Sequence, residues 1–447
     1  MRPFPIGLER AAAFTDPLPR SVDVVVIGGG IIGVMTAWYL TRAGQRVALL
    51  EKGRIAGEQS GRNWGWVRQQ GRDPAELPLM IEARQIWQGL ARELETDVGY
   101  RQTGVLYLAN RPADMAEYEA WMVHARAHDL DTCMLDQAAV AALLPNRAGW
   151  LGGIWTASDG RAEPWVAVPA LAQALHRAGA VIREACAVRA LDLAGGRVTG
   201  VVTEAGRVQA DRVVLAGGAW SSLLARAHGV NLPQLTVRGT VAATAPVDIG
   251  FDGAAADNDF AIRKRLDGGL TLTAGGEHGF WIGPDAFRHL GAFWPMIRKD
   301  LSKTSFGLAA PRGFPDGWGT RRRWSADEIS PFERLRVLNP PPDLRQIEKL
   351  RSQFAAAFPE AGKPKITAAW AGMIDVMPDI VPVIDHVAAL PGLTIATGLS
   401  GHGFGIGPAV GRVTADLVMG RSPGHDLTRF RLSRFTDGSK ISIGPAL

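Results

Sequence analysis

Apolar residues follow two patterns along the chain. Mainly apolar runs at residues 22–27, 47–50 and 212–216 lack polar alternation, and so predict parallel strands covered on both faces, and 393–397 predicts a further strand. Three of these runs pass straight into glycines and then into a helical pattern. Gly28, Gly30 and Gly33 precede or open a helix at 31–43. Gly217 and Gly218 precede a second, and Gly398, Gly401, Gly403 and Gly405 precede a third at 406–419. Leu77, Met80, Ile81, Ile86, Trp87 and Leu90 recur at helical spacing and predict a helix over 76–95. Further helices are expected at 114–128, 164–178 (with Pro164 in its first turn) and 343–358. Strands expected at 181–183, 187–191, 198–203 and 207–210 read as a return of parallel-sheet character after residue 150. Between 236 and 364 the pattern changes to alternating strands, such as 235–244 and 270–274, which suit an antiparallel sheet covered on one face. The predicted fold class is therefore α/β: a Rossmann-like nucleotide domain, discontinuous in sequence, plus an α+β domain with a mainly antiparallel sheet. Segments 1–75, 150–235 and 365–447 are assigned to the first, and 76–149 and 236–364 to the second.

Composition narrows the class. A length of 447 residues suggests two or three domains rather than one core. The net charge of +5 comes from scattered arginines, so no nucleic-acid partner is expected. Cys133 and Cys186 form neither a metal-type cluster nor a disulfide framework, which suits a reducing compartment. The stretch up to Arg20 has no apolar core of signal-peptide length, and no run of eighteen apolar residues occurs. The expectation is a cytoplasmic protein without a transmembrane segment, with contact at a membrane surface left open.

The first strand–glycine–helix junction carries the clearest chemistry. Gly28 allows the tight turn, Gly30 lets a pyrophosphate approach the backbone, and Gly33 lets the helix pack on the strand. Ile31 and Ile32 open that helix, whose N-terminus favours negative charge. The second strand delivers Glu51, followed by Lys52; a carboxylate there can accept hydrogen bonds from both ribose hydroxyls. Next comes Ser60-Gly61-Arg62-Asn63-Trp64-Gly65-Trp66-Val67-Arg68-Gln69-Gln70, which reads either as a loop lining cofactor or substrate or as a packed surface loop. At the far end, His402 sits where a strand ends in glycines at a helix N-terminus, a place suited to stabilising developing negative charge.

Together, the fingerprint near the N-terminus, the loop from Ser60 to Asn63, the turn from Val214 to Trp220, and the ending Trp370-Ala371-Gly372, Pro378-Asp379, Gly398 and Gly401-His402-Gly403-Phe404 resemble the D-amino-acid oxidase superfamily. Within it, glycine oxidase, sarcosine oxidase, gamma-glutamylputrescine oxidase and D-amino-acid dehydrogenase are the nearest types. The resemblance implies FAD held between a split nucleotide domain and a substrate domain. It implies ADP contacts at Gly28, Gly30, Gly33 and Glu51, and loop contacts at Ser60, Arg62, Asn63 and Trp64. It also implies adenosine contact at Val188, a second glycine turn at Gly217, Gly218 and Trp220, and flavin-ring contacts at Gly372, Gly398, Gly401, His402, Gly403 and Phe404.

The resemblance also has departures. Gly372 stands where sarcosine oxidases carry the cysteine that bonds FAD, and the Ser60 loop has no histidine, so non-covalent FAD is implied. Residues 266–298 hold no lysine to activate oxygen over the flavin; His278 is the basic candidate there besides Arg288 and His289. The implied reaction is oxidation of the C–N bond of an amino acid or amine to an imine, hydrolysed to keto acid or aldehyde. The acceptor is oxygen, a quinone or a partner protein. Arg68, Arg263, His278 and His402 are the candidate catalytic residues, with Arg68 or Arg263 as the cation for a substrate carboxylate. An electron-transferring subunit and a flavin-bearing binding protein with an idle redox site remain as alternatives.

Overall fold

A computed structural model describes residues 4–145, 149–299 and 301–444. Residues 1–3 and 445–447, at the outer ends of the predicted segments, and 146–148 and 300, inside them, lie outside the described residues.

Among the described residues a six-stranded sheet runs in the order Val383–His386, Leu393–Thr397, Arg212–Leu215, Val24–Ile27, Val47–Leu50, Val181–Arg183. Its neighbours are parallel except for the edge pair Val383–His386 with Leu393–Thr397. Every residue of Val24–Ile27 and Val47–Leu50 is buried, which is why their sequences carry no polar alternation. Helix Ile31–Arg42 covers one face and packs on helix Gly403–Val418. That last helix starts at Gly403, not at 406 as expected. Its glycines serve contact: a Cβ on Gly407 would stand 2.8 Å from Ile31 Cγ2, and one on Gly411 2.4 Å from Met35 Cβ. Low helix propensity is outweighed here by close approach of two backbones.

The strands expected to continue the parallel sheet divide differently. Val181–Arg183 joins it, whereas Val188–Ala194, Arg197–Thr203 and Gly206–Gln209 form a separate three-stranded antiparallel sheet. A larger ten-stranded sheet gathers Val105–Ala109, Thr132–Asp136, Leu235–Pro246, Gly269–Ala274 and others. It is mainly antiparallel, with parallel contacts between Val105–Ala109 and Ala254–Ala256 and between His278–Trp281 and Thr304–Gly307. Gly152–Thr156 and Ile366–Val376 also belong to it, although their segments were assigned to the nucleotide domain. Ile366–Val376 is a seam between the sheets. It pairs with Leu235–Pro246 along its length, and its Asp375 accepts the Gly398 N–H at 2.9 Å from the end of Leu393–Thr397.

Helices Leu77–Glu93, Pro112–Ala127, Pro164–Arg177 and Leu344–Ala357 lie within two residues of the expected limits. Trp87, buried on the first of these, donates from Nε1 to the Gly405 carbonyl at 2.8 Å and fixes the start of the last helix. A small sheet of Trp66–Val67, Gly160–Arg161 and Arg101–Gln102 anchors the loop that follows Ser60.

Candidate active site

A continuous cavity of about 660 Å³ follows the C-terminal ends of the parallel strands and continues under the larger sheet. At its nucleotide end Gly28 has φ +111°, and a Cβ there would lie 2.4 Å from the Ala216 carbonyl oxygen. A Cβ on Gly33 would lie 2.0 Å from the Gly28 carbonyl oxygen, so the turn and the helix above it are in backbone contact. Glu51 accepts the N–H groups of Gly29 and Gly53 at 2.7 and 2.6 Å, and burial pushes its pKa up. Lys52 donates to Glu58 at 2.8 Å and lies 4.3 Å from the centre of the Trp220 ring, while Trp220 Nε1 donates to the same Glu58 at 3.0 Å. Gly30, Ile31, Ile32, Val188, Gly217 and Gly218 complete this wall.

In the middle of the cavity, Ser60 Oγ accepts the Ile31 N–H at 2.9 Å and ties the loop to the first helix. Asn63 accepts the Gly65 N–H at 2.7 Å through Oδ1 and donates through Nδ2 to the Gln59 and Ser60 carbonyls, which shapes the turn. Arg62 donates to the Ala371 carbonyl at 2.9 Å and to Asn339 at 2.8 Å; burial lowers its pKa to about 10. Gly372 and Gly401 present bare backbone: the nearest atoms to a Cβ would be Arg62 Cβ at 3.4 Å and Ile374 Cγ2 at 3.7 Å. His402 caps helix Gly403–Val418, and Gly403 and Phe404 line the cavity beside it.

The far end is aromatic and cationic. Trp64 and Trp66 meet edge to face at 5.7 Å, and Trp66 meets Tyr107 at 5.8 Å. The Arg68 guanidinium lies 5.3 Å from the centre of the Tyr107 ring and donates to the Gln70 carbonyl. Asp159 holds the next turn, accepting the N–H groups of Gln69 and Gln70 at 2.7 and 3.1 Å; burial raises its pKa to about 6. Beneath them Arg72, 2% exposed, donates to the carbonyls of Arg68 (3.1 Å) and His402 (3.4 Å), and burial lowers its pKa to about 10. Its Nη1 lies 3.7 Å from Glu76, which in turn lies 3.5 Å from His402 Nδ1. Lys303 lines the outer end and donates to the carbonyls of Asn258 and Gly275.

Two candidates do not join this site. Arg263 is 1% exposed, forms a bidentate pair with Glu163 at 2.8 and 3.2 Å, and does not line the cavity. His278 also lies outside it, with its ring nitrogens engaged by the Gly276 carbonyl at 2.9 Å and Thr304 at 3.2 Å. Gly33 and Gly398 support the wall from behind without lining it. Arg72, Glu76, Glu58, Tyr107 and Lys303 escaped the sequence reading. For Arg72 and Glu76 the available signal was their i, i+4 spacing just ahead of a helix. Lys303 lies outside the 266–298 window searched for a lysine.

A split Rossmann-type sheet whose glycine junctions and terminal carboxylate line one cavity, continuous with a second pocket under another sheet, defines a flavin-dinucleotide oxidoreductase. The residues fit FAD: Glu51 retains acceptor capacity for a ribose, the loop at Gly30 leaves backbone exposed, and Gly372 and Gly401 leave room for a flat ring. The chain belongs to the family of FAD dependent oxidoreductases of the DAO type, which matches residues 23–417. FAD is its cofactor, held without a covalent bond; Gly372 has no side chain to form one, and the free cysteines are an exposed Cys133 and a buried Cys186. Its structure is similar to that of L-amino acid deaminase from Proteus myxofaciens in complex with anthranilate, with a TM-score of 0.90, 30% identity, and 95% and 96% of the two chains covered. In sequence it is similar to mitochondrial sarcosine dehydrogenase of Homo sapiens, 26% identical over 436 residues, which span 94% of this chain and 42% of the relative. It is also similar to sarcosine oxidase subunit beta of Rhodobacter capsulatus, at 24% identity, covering 97% of this chain and 93% of the relative. The chain thus spans less than half the length of the human relative. Among the described residues no helix is long and apolar enough to cross a membrane.

Proposed function

We propose that this chain oxidises the C–N bond of an amino acid carrying a free carboxylate, releasing an imine that water hydrolyses to a keto acid and ammonia or an amine. The observation that carries this reading is Arg68, buried in the same cavity as Gly372 and His402 and walled by Trp64, Trp66 and Tyr107. FAD, when bound, would supply the two-electron acceptor for the hydride that leaves the substrate carbon. The planar fork of Arg68 suits both oxygens of a carboxylate. The tryptophans and Tyr107 exclude water and orient the substrate side chain. Free N–H groups in the first turn of Gly403–Val418 favour negative charge where it accumulates. Arg68 and Arg72 face two buried carboxylates, Glu76 and Asp159, and a substrate carboxylate would add a further partner for the guanidinium groups.

Anaerobic mixing with L- and D-amino acids, their N-methyl forms and simple amines tests the reading. Bleaching by carboxylate-bearing members is expected. Equally fast bleaching by amines without a carboxylate, or none by any member, would overturn it. Anthranilate, the ligand of the Proteus myxofaciens structure, serves as a non-oxidised probe that should perturb the flavin spectrum. A second reading, in which electrons pass to a quinone or partner protein, draws support from the likeness to a subunit of a larger oxidase. Under it the substrate-reduced protein reoxidises slowly in air and quickly with an artificial dye.

A further inference from the structure

Four buried polar atoms meet beneath the cavity with no hydrogen-bond partner among the described residues. They are both carboxylate oxygens of Glu76, Arg72 Nη1 and His402 Nδ1. Glu76 ends the loop at the start of helix Leu77–Glu93 and is 1% exposed; His402 caps the other end of the gap from helix Gly403–Val418. The carboxylate lies 3.5 Å from Nδ1 and 3.7 Å from Arg72 Nη1, contacts short enough for strong charge interaction in a buried site. Burial pushes the Glu76 pKa up, but His402, Arg72 and Arg68 outweigh it, and the carboxyl stays ionised below its ordinary range. An ionised carboxylate is an acceptor only. The ring nitrogen facing it therefore carries the proton, because the other neutral tautomer would set a lone pair against a negative charge. Burial, followed by Arg72, lowers the His402 pKa below its ordinary value, so the ring is neutral at pH 7. The second ring nitrogen, Nε2, is not among the buried orphans, and the residue lines the cavity.

We infer that Glu76 is a positioning residue: it fixes His402 as the Nδ1-protonated tautomer, so that Nε2 presents a lone pair to the amine end of the substrate. This rests on the amine-oxidation reading above. An amino acid arrives as an ammonium, which has no lone pair to assist departure of a hydride. The two guanidinium groups of Arg68 and Arg72 disfavour a third positive charge nearby. The ammonium N–H bond breaks, an Nε2–H bond forms, and the resulting imidazolium is stabilised by the Glu76 carboxylate behind it. No electrons are exchanged in this step. The groups facing His402 are Arg68, Arg72 and Glu76; Tyr107 and Asp159 act on the two arginines from Val105–Ala109 and from the turn before Gly160–Arg161. Arg72 has a second duty, since it joins the Arg68 and His402 carbonyls.

The test uses ¹⁵N-histidine-labelled holoenzyme, with the His402 signals assigned by comparison with His402→Asn. In the native protein at pH 7–8, Nδ1 should show the shift of a protonated nitrogen and Nε2 that of an unprotonated one, with and without anthranilate. An Nε2-protonated tautomer, or an imidazolium at that pH, overturns the inference without any variant being needed. Glu76→Gln should mix the tautomers and slow anaerobic flavin reduction at pH 7 at least tenfold, with FAD retained and the acid limb of the pH profile displaced. Glu76→Asp, which keeps the charge, should restore the native tautomer. A Glu76→Gln protein that keeps both tautomer and rate also overturns the inference; lost stability alone would mark a merely structural role. If no amine bleaches the native flavin, the amine-oxidation reading fails, while the tautomer is still read from the spectrum.

Discussion

Arg263 and Glu163 form a buried bidentate ion pair, 2.8 and 3.2 Å long, with their side chains 1% and 5% exposed. Thr271 accepts a further hydrogen bond from Arg263, and Glu163 accepts the Leu266 N–H, so both partners of the pair are tied to their surroundings. It joins strand Phe260–Lys264 to the start of helix Pro164–Arg177 behind the turn that carries Trp64 and Trp66; a Cβ on Gly65 would stand 2.8 Å from Arg263 Nε. Glu163→Ala should lower stability by about 3–5 kcal/mol, because it strands a charge in the interior. The double replacement Glu163→Leu with Arg263→Met should recover most of that loss. Urea midpoints of the three proteins check this; a single variant as stable as the parent would show the pair to be dispensable.

Gly30 has an ordinary φ of −76°, and a Cβ there meets only Ser60 Oγ at 3.1 Å. Gly30→Val should therefore fold but fill the space through which a pyrophosphate approaches the backbone. The expected product is a colourless protein with a native far-UV spectrum. The ratio of flavin to protein absorbance is the measurement, and a yellow Gly30→Val would refute this placement of the phosphates.

How much of this was legible depends on where the controlling partner lies. Val24–Ile27 and Val47–Leu50 announce themselves because both faces are buried, a local cause with a local signature. The nucleotide end was readable for a similar reason: the positive φ of Gly28 and the contact of Gly33 with the Gly28 carbonyl both lie within one junction. The sheet to which Ile366–Val376 belongs was not legible because its pairing is decided by Leu235–Pro246, far away in sequence. The start of the last helix was missed because Gly405, in its first turn, answers to the Trp66 carbonyl and to Val67, far away in sequence. Arg68 and Arg263 are chemically identical as sequence. What separates them is Glu163, 100 residues from Arg263, and no local pattern encodes that neighbour.

Helix Leu77–Glu93 is bound to the last helix by Glu82, which accepts bidentate hydrogen bonds from Arg412 and another from His425 at 2.5 Å. Burial pulls the Glu82 pKa up, but these partners hold it below the usual carboxylate range. Its folded pKa is therefore depressed. Its contribution to stability is present above the unfolded value of about 4.3 and is lost as pH falls through the folded value. Glu82→Gln should cost about 1–3 kcal/mol at pH 7, with the gap to the parent shrinking as pH falls below about 4. Urea midpoints across that range decide it; a gap independent of pH would mean that charge plays no part in the contact.

Arg68 and Arg72 both line the cavity, yet they are not equivalent anchors for a carboxylate. Arg72 spends its guanidinium on the Arg68 and His402 carbonyls and on Glu76, and replacing it would disturb all three. Arg68 lies over Tyr107 beside the edge-to-face pair of Trp64 and Trp66, where its fork can reach a ligand in the same space. Arg68→Ala should slow flavin reduction by carboxylate-bearing amino acids by about 2–4 kcal/mol in activation free energy, as expected when one partner of a desolvated charge pair is removed. That corresponds to roughly 30- to 800-fold in rate constant. FAD content and urea midpoint should change little, since the turn at Gln69 and Gln70 loses the bond from Arg68 to the Gln70 carbonyl but keeps both main-chain N–H bonds to Asp159. Arg68→Lys should restore only part of the rate, because a point charge cannot bind both oxygens in the plane of the fork. Anthranilate titration of the flavin spectrum gives the same comparison without turnover, and its affinity should fall in parallel. Unchanged reduction and unchanged anthranilate affinity in Arg68→Ala would move the anchor to Lys303 at the outer end of the cavity.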